Sequence, residues 1–201
     1  MGCDEQKSII VIGSGASVKQ YPVEEYQKFA TIGMNHGILY HDWYTHYTAV
    51  DTGMVNAVKD KILSYSGKVW LPLSQYVRTC FSVCQLYKHF FDTSYIMLKT
   101  AINLAVKSSL LTSINIAYML GYNPIYLIGF DGYATHTGGR WFNDEETRKQ
   151  CILPEFNADA YTGQLYIAGI IARQFRLEGI KVINLNYLSR CTSFEFGDLP
   201  I

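Results

Sequence analysis

The sequence predicts an α/β protein: a Rossmann-like, mostly parallel sheet with helices on both faces. Three observations predict it. Apolar, β-branched runs recur along the chain, each ending in a short polar turn. Stretches with helical spacing lie between them, at the distances of βα units. The first run, Ile9-Ile10-Val11-Ile12, passes directly into Gly13-Ser14-Gly15-Ala16-Ser17. Continuous apolar runs of this kind suit strands buried on both faces, and the glycines remove Cβ atoms that would keep a partner away.

The elements follow in order. After the first strand and its loop, Pro22, Glu24 and Glu25 predict a helix over about 22–29. A second strand runs over 30–34 and ends at Asn35-His36-Gly37. The Tyr/His/Trp-rich link Tyr40–Tyr47 follows, a candidate surface for a homo-oligomer. Thr48-Ala49-Val50 is a third strand, ending at Asp51, and residues 54–64 have helical spacing. Val69-Trp70-Leu71 is a fourth strand, stopped by Pro72. Residues 73–93 fit a helix or an inserted lid, and Tyr95–Leu98 reads as a strand.

The clearest helix covers about 109–120, with Gly121 placed to end it and Pro124 beyond. Ile125–Phe130 is a strong strand ending at Asp131-Gly132-Tyr133. Residues 134–156 are polar and long for a connection, which suggests a lid or functional loop. A helix over 159–178, capped by Asp159 or Thr162, leads to a last strand over 181–185, and 186–201 reads as loop.

Length and composition narrow the function. A chain of 201 residues is expected to form one domain with a substantial core. Its 49% hydrophobic and 17% charged content describes a globule. Net charge is +0, from 17 basic and 17 acidic residues, so there is no electrostatic case for nucleic acid as a partner. The five cysteines (Cys3, Cys80, Cys84, Cys151, Cys191) show no zinc-site spacing, and reduced, buried thiols are expected. No apolar run approaches membrane-spanning length and no signal peptide is visible, so a cytoplasmic protein is expected.

In a parallel sheet, ligands bind beyond the carboxyl ends of the strands. Ser14, Gly15, Asn35, Asp51, Asp131, Tyr133 and Asn186 all lie just past a strand end. The loop lacks the third glycine of a dinucleotide fingerprint; Val18 takes that place. The acidic ribose reader is replaced by Asn35, which argues against NAD. A phosphate- or nucleotide-binding loop remains, against a tight turn with no ligand. Asp51 and Asp131 would hold magnesium, act as acid and base, or bind sugar hydroxyls; the plainer role for each is a cap or turn. His136, a few residues past Asp131, is a candidate base. Ser108 and Ser109 precede the clear helix and suit either an anion or a simple N-cap. Arg140 and Arg148 are further phosphate candidates, although loop arginines are usually solvated.

Ile-Ile-Val-Ile-Gly-Ser-Gly-Ala-Ser, then Gly-Met-Asn, then Leu-Gly-Tyr-Asn-Pro-Ile-Tyr-Leu-Ile-Gly-Phe-Asp-Gly-Tyr stand in an order and spacing that resemble the bacterial CMP-sialic-acid transferases of glycosyltransferase family 42. The wider resemblance is to the motility accessory factor group, which includes pterin diphosphokinases and phage-encoded members. The resemblance implies a transferase that moves a sugar from a nucleotide-activated donor, a CMP-sugar first, to an acceptor hydroxyl, with no cofactor required. It places Gly13, Ser14, Gly15 and Ser17 near phosphate and ribose, Asn35 on the nucleotide, and Ser108 with Ser109 on cytosine and phosphate; Asp51, from its place past a strand end, is a further candidate for the nucleotide site. It places Asp131 and Tyr133 at the reaction centre. The family's catalytic histidine has no counterpart before the last long helix, where Asn157–Tyr161 stand. His136 is the first choice for the base, with Asp159 or Tyr161 as alternatives. A diphosphokinase, using magnesium on Asp51 and Asp131, and a non-catalytic nucleotide-binding module are the competing functions.

Overall fold

A computed structural model describes residues 7–71, 108–132 and 158–200. They build one seven-stranded sheet in which every pairing is parallel. The strands are β1 (Ile9–Ile12), β2 (Ala30–Met34), β3 (His46–Thr48), β4 (Lys68–Trp70), β5 (Ile125–Ile128), β6 (Val182–Asn184) and β7 (Glu195–Phe196). Their order across the sheet is β4-β3-β2-β1-β5-β6-β7. The chain therefore moves outward from β1 on one side, then returns to start again at β5. The reversal lies between β1 and β5, whose registers pair Ile9 with Ile125 and Ile12 with Ile128.

The central strands are buried on both faces, as their unbroken apolar runs require. Ile9 and Val11 of β1 join Ile125 and Leu127 of β5 in one core layer. There they meet α4 (Ser109–Met119) and α5 (Ala158–Leu177). Ile10, Ile12, Tyr126 and Ile128 face the other way, against Val18 and Tyr26. Alternation along each strand thus divides the four apolar positions of β1 and the four of β5 between two helical layers. Each fully buried side chain contributes about 1.5–3 kcal/mol of transfer free energy.

Several expectations are corrected in detail. The helix expected over 22–29 is a 310 helix, Val23–Lys28, and a second one, Ala16–Gln20, precedes it in the loop. Their bonds close over three residues, as from Glu25 N–H to the Pro22 carbonyl at 2.9 Å. A 310 helix rises about 2.0 Å per residue against about 1.5 Å in an α-helix, so a short connection recrosses the sheet with few residues. The third strand is His46–Thr48 rather than 48–50. The helical stretch 54–64 breaks at Val58 into α2 (Thr52–Ala57) and α3 (Lys59–Ser64). The tail expected to be loop supplies β7, which pairs with β6. Helix α1 (Gly37–Tyr40) opens the aromatic link, and Tyr44 and Tyr47 within that link are buried. Those two rings pack the core, while Tyr40 is exposed. Helix α4 ends as expected, with Gly121 at φ +81°, but it is buried all round along Ser109–Ala117. The strand expected at 95–98 and the lid at 134–156 lie outside the described residues.

Candidate functional site

The first loop packs against the end of β5. Gly13 N–H donates to the Ile128 carbonyl at 2.7 Å, and Gly15 N–H to the Gly129 carbonyl at 3.0 Å. A Cβ on Gly15 would lie 2.5 Å from the Gly129 oxygen and 2.6 Å from the Asp131 carboxylate. One on Gly13 would lie 2.7 Å from both the Gly129 oxygen and Leu110 of α4. The two glycines are needed first by the protein itself, because the β5 loop and α4 come this close.

Asp131 ties three segments together. It is 4% exposed. Its Oδ2 accepts from the Ser17 amide at 3.1 Å, and its Oδ1 accepts from the Ser17 hydroxyl and from Asn186 Nδ2, the latter at 2.9 Å. Arg190 N–H donates to its carbonyl at 2.8 Å. Both carboxylate oxygens are thereby engaged by hydrogen-bond donors, as a buried polar group requires. The arrangement makes Asp131 a strut between the β1 loop, the β5 end and the β6 turn, and it commits Ser17 to that strut. Ser189 completes the β6 turn by donating to the Phe130 carbonyl.

Across β1, the ends of β2 and α4 meet. Asn35 sits at φ +51°, a conformation that asparagine tolerates better than most residues. Its N–H donates to the Thr48 carbonyl at 3.1 Å, and its carbonyl accepts from the Tyr47 hydroxyl at 2.8 Å. Burial raises the Tyr47 hydroxyl pKa, so it remains a donor. Asn35 Oδ1 accepts from the Ser109 hydroxyl at 2.8 Å. The side-chain NH2 of Asn35 has no partner among the described residues. Ser108 is the N-cap of α4, its Oγ accepting from Leu111 N–H at 3.5 Å. Thr112 N–H is taken by the Ser108 carbonyl at 3.0 Å. The Ser109 and Leu110 amides have no partner among the described residues, as the first turn of a helix requires. In the β1 loop, which meets α4 through Gly13 and Leu110, the Ser14 hydroxyl oxygen is buried and has no partner among the described residues.

The structure therefore separates the expected residues into two groups. Asn35, Ser108 and Ser109 converge around the α4 N-terminus, with Gly13 against Leu110 and Ser14 next to Gly13 in the chain. Ser17, Asp131 and Gly15 form the adjoining strut. Asp51 joins neither group: it is exposed and caps α2 by accepting from Gly53 N–H at 2.8 Å. Tyr133, His136, Arg140 and Arg148 lie outside the described residues, while Asp159 and Tyr161 fall in the first turn of α5. Sequence reasoning named Asn186 only as a strand-end residue; its bond to Asp131 needs the sheet order to be seen. Among the described residues, no cluster of three or more histidine, cysteine or acidic side chains is placed to hold a metal. No described helix is long and apolar enough to cross a membrane.

Fold and site define a class: doubly wound α/β proteins whose site lies where the strand order reverses. No family model and no curated protein matches the chain. Among solved structures it is similar to the monofunctional α-2,3-sialyltransferase Cst-I of Campylobacter jejuni, with a TM-score of 0.66 and 14% identity over 98% of this chain and 82% of that one. It is also similar to the sialyltransferase Cst-II in complex with CMP, with a TM-score of 0.61 and 16% identity over 94% of this chain and 86% of that one. At such identities the likeness is one of fold. It agrees with the sialyltransferase side of the sequence resemblance, and neither neighbour is a pterin diphosphokinase.

Proposed function

We propose that this chain transfers a sugar from a nucleotide-activated donor, a CMP-sugar first, to an acceptor hydroxyl. The observation that carries the reading is the α4 N-terminus at the carboxyl edge. There, among the described residues, the Ser109 and Leu110 amides and the Asn35 NH2 have no partner, at the positive end of an eleven-residue helix. The β1 loop, which meets α4 through Gly13 and Leu110, adds the buried Ser14 hydroxyl, also unpartnered among the described residues. Such a group suits a phosphate and its nucleoside. Leaving a buried donor unpaired costs about 1–3 kcal/mol, which a bound anion relieves. The fold shared with a protein solved in complex with CMP favours cytidine as the base.

In the proposed reaction the acceptor oxygen attacks the anomeric carbon. The bond from that carbon to the phosphate oxygen breaks, and the electron pair leaves with CMP. His136 takes the acceptor proton, and Tyr133 donates to the departing phosphate. The α4 amides stabilise its charge. Asp131 holds the loops in place and is not the base in this reading, because both its oxygens already accept hydrogen bonds.

The diphosphokinase alternative asks Asp51 and Asp131 to share magnesium. β3 and β5 are three strand spacings apart, about 14 Å, whereas magnesium binds oxygen at about 2.0–2.1 Å. One ion cannot bridge carboxylates held at those strand ends. Calorimetry with CMP-, UDP- and GDP-sugars, ATP and free CMP tests the proposal. Binding of a CMP-sugar, followed by CMP release that survives a chelator, is the expected result. Failure to bind any of them overturns it. Binding without release or transfer leaves a nucleotide-binding module in its place.

A further inference from the structure

We propose that the exposed Tyr187–Phe196 ring stack, beside Asn186, is the platform on which a sugar ring of the acceptor lies. As an acceptor site it rests on the transfer reading; as a carbohydrate site it stands on its own contacts.

Tyr187 is 58% exposed, Leu188 75% and Phe196 36%, and they follow the end of β6 or lie on its neighbour β7. The rings stack with centroids 5.9 Å apart and planes at 26°. Large apolar side chains gathered at one edge, next to a candidate site, call for an occupant.

The turn that carries Tyr187 is tied to the strut. Asn186 Oδ1 accepts from Leu188 N–H at 3.0 Å, and Ser189 N–H returns to the Asn186 carbonyl at 3.0 Å. The turn is fixed to Asp131 at both ends, through Asn186 Nδ2 and through Arg190 N–H. Its tip is the part left projecting. Tyr21 braces the same strand end, its hydroxyl donating to the Leu185 carbonyl at 2.7 Å. The platform borders the Ser17–Asp131–Asn186 strut, while the Asn35–Ser109 donors lie across β1. A donor on one side and an acceptor on the other would meet over the strut.

The chemistry of the rim selects the occupant. The Tyr187 hydroxyl lies beside the Asp198 carboxylate. A pyranose presents C–H groups on one face and hydroxyls around its edge. The C–H face suits the electron-rich face of an aromatic ring, and the hydroxyls suit the carboxylate. A purely apolar partner would leave that carboxylate desolvated and unpaired.

Saturation-transfer NMR on the full chain, with methyl β-glycosides of galactose, glucose and N-acetylglucosamine and with lactose, tests this. At least one should bind at millimolar concentration and perturb the Tyr187 ring. Tyr187→Ala should weaken that binding about ten-fold, and Tyr187→Trp should keep it. With a glycan that accepts sugar, Tyr187→Ala should raise the acceptor KM and leave kcat nearly as it was. If no glycan touches the ring, or Tyr187→Ala binds as well as the wild type, the platform is overturned. Self-association that Tyr187→Ala abolishes, read by sedimentation velocity, overturns it too. CMP release by the wild type without acceptor judges the transfer reading separately. Glycan binding without CMP release sinks transfer and keeps the platform; the reverse sinks the platform alone.

Discussion

At the scale of single residues, Asn35 and Gly15 show how one position serves both fold and site. Asn35 lies at φ +51° and sends one side-chain oxygen to Ser109. Asn35→Gly keeps that backbone conformation and removes the side chain alone. It should weaken CMP binding about five- to thirty-fold, from about 1–2 kcal/mol of lost hydrogen bonding, as read by calorimetry. Wild-type affinity in this variant would remove Asn35 from the nucleotide site. Gly15 has Asp131 and the Gly129 carbonyl where a Cβ would go. Gly15→Ala should cost about 1–3 kcal/mol in urea unfolding through overpacking. An undiminished midpoint would mean that the loop has room the structure does not show.

At the scale of elements, β3 and β4 carry a buried histidine that links stability to pH. His46 Nδ1 accepts from Trp70 Nε1 at 3.2 Å, and its Nε2 faces the Tyr122 hydroxyl at 3.5 Å. Burial, with Lys68 nearby, lowers its pKa from 6.5 to about 4. The folded state thus resists a proton that the unfolded chain takes up at about 6.5. The stability held above pH 6.5 should be lost as pH falls towards 4, at no more than about 1.4 kcal/mol per pH unit. His46→Gln should flatten that part of the Tm profile relative to wild type. Parallel profiles would show that His46 does not contribute. The α4 N-terminus is the element closest to function. Ser109→Ala removes the bond to Asn35, and its melting temperature should fall by a few degrees, for about 1 kcal/mol lost. Its CMP affinity should fall with it; normal CMP affinity would place the nucleotide elsewhere.

At the scale of the molecule, the sheet order decides where chemistry is placed. The reversal between β1 and β5 opens the edge where the β1 loop borders Asn35 and Ser109, and it sets Asp51 three strands from Asp131. Turnover should therefore be unaffected by chelators, measured as CMP release. Loss of activity restored by magnesium would return the reading to a diphosphokinase.

Much of the fold was legible in the chain. Ile9–Ile12 and Ile125–Ile128 read as buried strands because an unbroken β-branched run has few other places to go. The end of α4 was marked by Gly121. β7 was not legible, because two residues make no periodic pattern and Glu195–Phe196 is a strand only through its pairing with β6. The 310 helices were missed because the residues that favour a first helical turn favour both kinds, and the span to be crossed selects between them. Of the candidate site, Asn35 and Ser109 were legible as strand-end and cap residues, but their bond to each other was not.

The sequence by itself determined the strands, the glycine turn and the positions past each strand end, because these follow from local geometry and from which side chains avoid water. Only the tertiary structure decided what the two carboxylates do. Asp51 turns to its own helix, two residues away. Asp131 meets Ser17 and Asn186, 114 and 55 residues distant in the chain. Whether a carboxylate is a cap, a strut or a base depends on its hydrogen-bond partners. For a buried group those partners come from the order in which strands are laid side by side.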